Sequence, residues 1–173
     1  EIPLPKLPMP AEVEMRYTRA ERAYEKLEKI LGDTGIGFMH DAYTTPKVFN
    51  RYQKFIMSKS RFGIPCIFTG EALHGISWPG AMVFPVPLCL AASFNRDIVN
   101  RTGEAIGAET RSIGIHEILA PNLDVAREPR WGRVEETFGE DTYLCAEMGY
   151  QIITGEQKNG DFKRDDAVLT EPK

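Results

Sequence analysis

At 173 residues, 42% hydrophobic and 27% charged, the chain has the length and composition of one soluble domain with a core of its own. A net charge of −4 with no lysine- or arginine-rich face argues against a nucleic-acid binder. No run approaches 18 uninterrupted apolar residues, so no membrane-spanning helix is expected.

The chain opens on Glu1 rather than Met, from which removal of something upstream is expected, and no secretory signal is visible. Pro3, Pro5, Pro8 and Pro10 make residues 1–17 an extended arm. From Thr18 to Leu31, Ala20, Ala23, Tyr24, Leu27, Ile30 and Leu31 fall at helical spacing, with Gly32 as the stop. Residues 35–39 form a short apolar run of buried-strand type. Thr45-Pro46 then caps a helix whose apolar face is Val48, Phe49, Tyr52, Phe55 and Ile56.

Residues 64–69 are expected to form a second strand, followed by a long loop punctuated by glycine and proline. A helix over about 96–113 leads to a third strand at 117–121. A further helix runs from about 142 to 157, with Asp141 as its N-cap, and a fourth strand lies at 167–171. Strands without polar alternation, separated by helices, predict a parallel α/β sheet covered on both faces. Four such units fit a small open sheet or half of an eight-stranded (β/α)8 barrel, a fold that takes about 250 residues. The last strand has no following helix, so the expectation is an unfinished barrel. Cys66, Cys89 and Cys145 are an odd number, widely spaced among apolar neighbours, and read as reduced core thiols; compartment stays open.

In parallel α/β folds functional groups gather at the carboxyl ends of strands. His40 and Asp41 follow the first strand, Glu71 and His74 the second, Asp124 to Arg133 the third and Lys173 the fourth. Acids, arginines, a lysine and histidines in one ring suit a ligand held through many hydroxyl groups. Within the third-strand loop, Trp131 between Arg130 and Gly132 predicts a packed loop held by internal arginine–carboxylate pairs.

Several ordered motifs resemble glycoside hydrolase family 3. They are Gly63-Ile64-Pro65, Glu71-Ala72-Leu73-His74-Gly75, Pro79-Gly80-Ala81-Met82-Val83-Phe84-Pro85 and Leu90-Ala91-Ala92-Ser93-Phe94. With them stands the run Leu119 to Asp124 continuing through Pro129-Arg130-Trp131-Gly132-Arg133-Val134-Glu135-Glu136 to Gly139-Glu140-Asp141. The resemblance covers residues from about 35 onward. It implies an N-terminal (β/α)8 barrel, of which 18–173 would be the first half, followed in most members by an α/β sandwich domain.

It further implies a retaining, exo-acting β-glycosidase of β-glucosidase or β-xylosidase type, acting on a β-linked oligosaccharide or aryl glycoside without cofactor or metal. Carried over by motif, the first-subsite sugar binders are Glu71, Arg133 and Lys173. Many members carry Asp at the position of Glu71, and Asp is usual at Glu128. Retaining hydrolysis needs a nucleophilic carboxylate and an acid/base carboxyl about 5–5.5 Å apart. The resemblance places both in later barrel strands or beyond, so no catalytic residue is assigned here. Asp124 is expected to orient its loop, His74 to be an internal hydrogen-bonding histidine, and Trp78 to pack rather than line the pocket. Two other readings stay open: a non-catalytic carbohydrate-binding or scaffold protein, and an N-acetylglucosaminidase or phosphorylase-type member of the same family.

Overall fold

The computed structural model describes residues 26, 27, 29–31, 34–40 and 44–173. The expected arm, most of the helix over 18–31, its Gly32 stop and Asp41 lie outside the described residues; residues 26, 27 and 29–31 are helical.

Four strands, β1 (Phe38–His40), β2 (Ile67–Gly70), β3 (Glu117–Ile118) and β4 (Leu169–Thr170), form one sheet in the order β1-β2-β3-β4. Every pairing is parallel, with Phe38 opposite Ile67, Thr69 opposite Glu117 and Glu117 opposite Leu169. The strands are shorter than the apolar runs predict. Pro65 has no N–H to give a ladder, so β2 pairs only from Ile67, whose N–H donates to Gly37 O at 2.9 Å. Beyond β3 the pairing continues irregularly past Pro121, where Glu171 N–H donates to Ile118 O and Lys173 N–H to Pro121 O.

Alternation along the strands divides the sheet into two faces. Phe68, Ile118 and Val168 point outward and are buried, Phe68 against Phe49 at a centroid distance of 4.8 Å. Thr69, Glu117 and Leu169 share the other, inner face, where Thr69 Oγ1 donates to Glu117 Oε2 at 2.9 Å. On that face Phe38 is 48% and Leu169 36% exposed. The sequence predicts strands covered on both sides; the inner side is partly open.

Helices cover the outer face: α1 (Pro46–Lys59), the short α2 (Pro87–Ala92), α3 (Arg96–Ile113) and α4 (Thr142–Glu156). Their ends follow the local chemistry. Thr45 Oγ1 accepts from Val48 N–H before Pro46, Asn95 Oδ1 from Ile98 N–H, and Asp141 Oδ1 from Leu144 N–H at 2.7 Å. Gly114 closes α3 at φ 99°, in the left-handed region that glycine enters without strain. The helix α2 lies in what reads as a loop, because Pro87 there is not a breaker but the first helical residue. Cys66 and Cys145 are buried free thiols, and burial raises the Cys66 pKa to about 11. Cys89, expected in the core, is exposed on α2.

Glu156 ends α4 with 1% exposure, its Oε2 has no hydrogen-bond partner, and burial pushes its carboxyl well above the usual carboxylate range. The protonated acid therefore gives stability that is fully present below the unfolded-state pKa near 4.5 and is lost as pH rises through the folded pKa. Glutamine imitates the protonated form. Glu156→Gln should match the parent near pH 4 and gain on it above pH 4.5 by up to about 1.4 kcal/mol per pH unit until the folded pKa is passed. Urea midpoints of both proteins at pH 4 and pH 7 check this; an equal gap at the two pH values would contradict it.

Candidate substrate-binding site

Three loops leave the carboxyl ends of β2, β3 and β4 on one side of the sheet, and each delivers one of the residues singled out by sequence. Glu71 directly follows Gly70, the last residue of β2. Lys173 lies three residues beyond β4 and is pinned through its backbone: its N–H donates to Pro121 O at 3.0 Å and its C=O accepts from Leu123 N–H. Its Nζ then reaches Glu71 Oε2 at 2.8 Å, with the two side chains 31% and 35% exposed. Parallel pairing thus joins residues 102 positions apart at the mouth of the sheet.

Arg133 enters through the long loop after β3, as the residue before a single 3-10 turn at Val134–Glu136. That turn folds Glu136 back on it: Arg133 Nε and Nη2 both donate to Glu136 Oε2, at 2.8 and 2.6 Å. The guanidinium also lies 5.9 Å from the centroid of the half-buried Trp131 ring. The Glu136 hydrogen bond raises the Arg133 pKa, and the charges of Glu136, Asp124 and Glu71 add to it. Conversely, Arg133 is the main cause that lowers the Glu136 pKa, with the Asn122 amide and Lys173 contributing. Glu71, Lys173, Arg133, Glu136 and Asp124 therefore share one field. Arg133 feels Glu71 without a direct bond to it.

The expected arginine–carboxylate pairing within this loop is present but lies at the surface. Glu128 accepts from Arg130 Nε at 2.8 Å, from Nη2 at 2.7 Å and from its backbone N–H at 3.0 Å. These bonds pull its carboxyl down to about 2, so the acid one methylene longer than the usual Asp still makes a two-pronged pair.

Other expectations divide. Trp78 packs partly buried against the hydrophobic core, as expected. His74 is not internal: its side chain is exposed, and its backbone O accepts from Phe84 N–H. The loop turns its imidazole outward because Ala72 and Ile76 take the buried positions. Glu136 has no role assigned by the motif, although its place three residues after Arg133 is the spacing of a one-turn ion pair. A cavity of about 1100 Å³ lies elsewhere, between α2 and the starts of α3 and α4, and holds none of Glu71, Arg133 or Lys173. It sits in the outer helix layer, apart from the charge cluster at the strand ends. Among the described residues no group of three or more His, Cys, Asp or Glu could hold a metal ion, and no helix is long and apolar enough to cross a membrane.

This geometry invites comparison with known proteins. Residues 13–171 match the family described as glycosyl hydrolase family 3 N terminal domain. A putative β-xylosidase of Formosa agariphila is 41% identical over 145 residues, covering 82% of this chain and 19% of that protein. A periplasmic β-glucosidase of Salmonella typhimurium is 36% identical, covering 77% of this chain and 17% of its own length. The chain thus spans about a fifth of the curated relatives it matches. Among solved structures, a β-glucosidase from Erythrobacter marinus superposes with a TM-score of 0.82 at 31% identity, covering 91% of this chain and 22% of that one. A mutant β-glucosidase from Listeria innocua in complex with laminaribiose superposes at 0.73 and 30% identity, covering 79% and 18%.

Proposed function

We propose, from the premise that this chain belongs to glycosyl hydrolase family 3, that it is part of a retaining, exo-acting β-glycosidase and supplies Glu71, Arg133 and Lys173 to bind the first sugar. The observation that carries this reading is the Lys173–Glu71 bond, 2.8 Å long, at the carboxyl ends of β2 and β4 and in the field of Arg133. A carboxylate bonded to one cation and in the field of a second presents acceptors and donors in one cluster. Vicinal hydroxyls of a pyranose, each both donor and acceptor, match that combination.

The substrate class is a β-linked oligosaccharide or aryl glycoside. The names of the relatives support glucose or xylose as the sugar, and the Listeria innocua enzyme was solved with both laminaribiose and glucose. The nucleophile and the acid/base carboxyl come from later barrel strands and the regions beyond, which complete the pocket as the chain's partners within the same polypeptide.

Glu71→Ala in the full-length protein tests the reading. Charged hydrogen bonds to sugar hydroxyls are worth about 1.5–3 kcal/mol, so kcat/KM for p-nitrophenyl β-glycosides should fall by at least about tenfold. Kinetics equal to the parent would remove Glu71 from the site.

A further inference from the structure

We infer that Glu136 is the positioning residue for Arg133, holding its guanidinium toward the sugar and away from Glu71; this rests on the sugar-binding reading above. The geometry is a double lock across one turn. Glu136 N–H donates to Arg133 O at 3.1 Å, while Arg133 Nε and Nη2 both donate to Glu136 Oε2. A guanidinium has five N–H groups, so two are spent and three remain on a side chain that is 44% exposed. The carboxylate is the more sheltered partner, 21% exposed, and lies against the Asn122 amide. Asn122 is itself fully buried, and its Oδ1 accepts from Asp124 N–H. The anchor thus rests on a buried residue beyond the end of β3, while the fork it holds belongs to a half-exposed side chain.

What happens without Glu136 follows from the charges. After Glu136, the acids that act on Arg133 are Asp124 and Glu71. A guanidinium released from Glu136 would swing toward them and add a second cation to a Glu71 carboxylate that already accepts from Lys173. The sugar hydroxyls would then compete with an internal ion pair at both residues. Glu136 also partly balances Lys173, whose charge it feels. One acid that never touches sugar thereby sets the orientation of the donor and the availability of the acceptor.

The test is a double-mutant cycle in the full-length protein with p-nitrophenyl β-xyloside and β-glucoside. Glu136→Gln should raise KM about tenfold while kcat changes by less than about threefold, because ground-state and transition-state binding are lost together. Arg133→Met should do the same, and the double variant should be no worse than Arg133→Met alone, since Glu136 acts only through that side chain. Glu136→Asp, one methylene shorter, should fall between parent and Gln. An unchanged KM for Glu136→Gln would overturn the assignment, as would losses that multiply in the double variant, the mark of an independent structural role. If Glu136→Gln does not fold, Glu136→Asp alone and with Arg133→Met decides equally: a raised KM alone and no added effect in the pair, or the proposal fails. An unchanged KM for Arg133→Met would instead remove Arg133 from the sugar site and overturn the parent reading with it.

Discussion

If the proposed function holds, hydrolysis of p-nitrophenyl β-glucoside and β-xyloside by the 173-residue polypeptide alone should not exceed a buffer blank, while the full-length protein should turn over at least one of them. A retaining mechanism needs one carboxylate free to attack and a carboxyl able to give up a proton, about 5–5.5 Å apart. Of the acids described at the strand ends, Glu71 pairs with Lys173, Glu136 with Arg133 and Glu128 with Arg130. Arginine bonds hold Glu136 and Glu128 low, the wrong direction for a general acid. Among the described residues, the carboxyl that burial does push up, Glu156, is sealed at the end of α4.

The same polypeptide should associate rather than sediment as a compact monomer. Among the described residues β1 pairs only with β2, and β4 only with β3, so each leaves a row of backbone groups without a strand partner. Phe38 and Leu169 face the open inner side. At about 25 cal/mol per Å², a few hundred Å² of uncovered apolar surface amounts to several kcal/mol, comparable with the stability of a whole domain. A cooperative monomer in sedimentation would refute the half-barrel. Turnover above the blank would refute the placing of the chemistry in later strands.

Helix ends were legible in the sequence because caps are local: Thr45-Pro46 and Asp141 each act within one turn. The four strands and their order were legible because apolar runs alternate with helices. Their lengths were not, since pairing depends on donors that Pro65 and Pro121 lack and on neighbours far along the chain. Proline read as punctuation concealed α2, where Pro87 is the first helical residue. In the site, the motif picked out Glu71, Arg133 and Lys173, but their arrangement came only with the fold. Nothing local places Lys173 Nζ on a carboxylate 102 residues earlier. Glu136 stood within the quoted motif and gained a role only when the 3-10 turn laid it on Arg133. The outward turn of His74 and the exposure of Cys89 were equally beyond a reading of residue type, which ranks a side chain's tendency to be buried without saying which face the loop or helix presents.

Gly155→Val is expected to unfold the protein or cost it about 3 kcal/mol or more, near the upper end of what overpacking a core does. The position lies where α3 and α4 cross. A Cβ on Gly155 would stand 2.2 Å from Asn100 O and 2.9 Å from Glu104 N, and one on Gly103 of α3 would stand 2.4 Å from Ile152 O. All three obstacles are backbone, which cannot rotate aside as a side-chain tip can. Relief therefore requires the helices to move apart. That movement would reach the site, because α3 leads into β3 and the Arg133 loop, while α4 leads into β4 and Lys173. It would also strain Asn100 Nδ2, which donates to Gln151 O and Thr154 Oγ1 at 3.0 Å each across the crossing. Gly37→Ala is the matched control: its Cβ would meet nothing within 4 Å, so its effect should stay near about 0.5 kcal/mol. Thermal midpoints and soluble yield of the two full-length variants decide the matter. A Gly155→Val protein that melts with the Gly37→Ala control would show that α3 and α4 do not meet backbone to backbone, and the seating of β3 and β4 on these helices would fall with it.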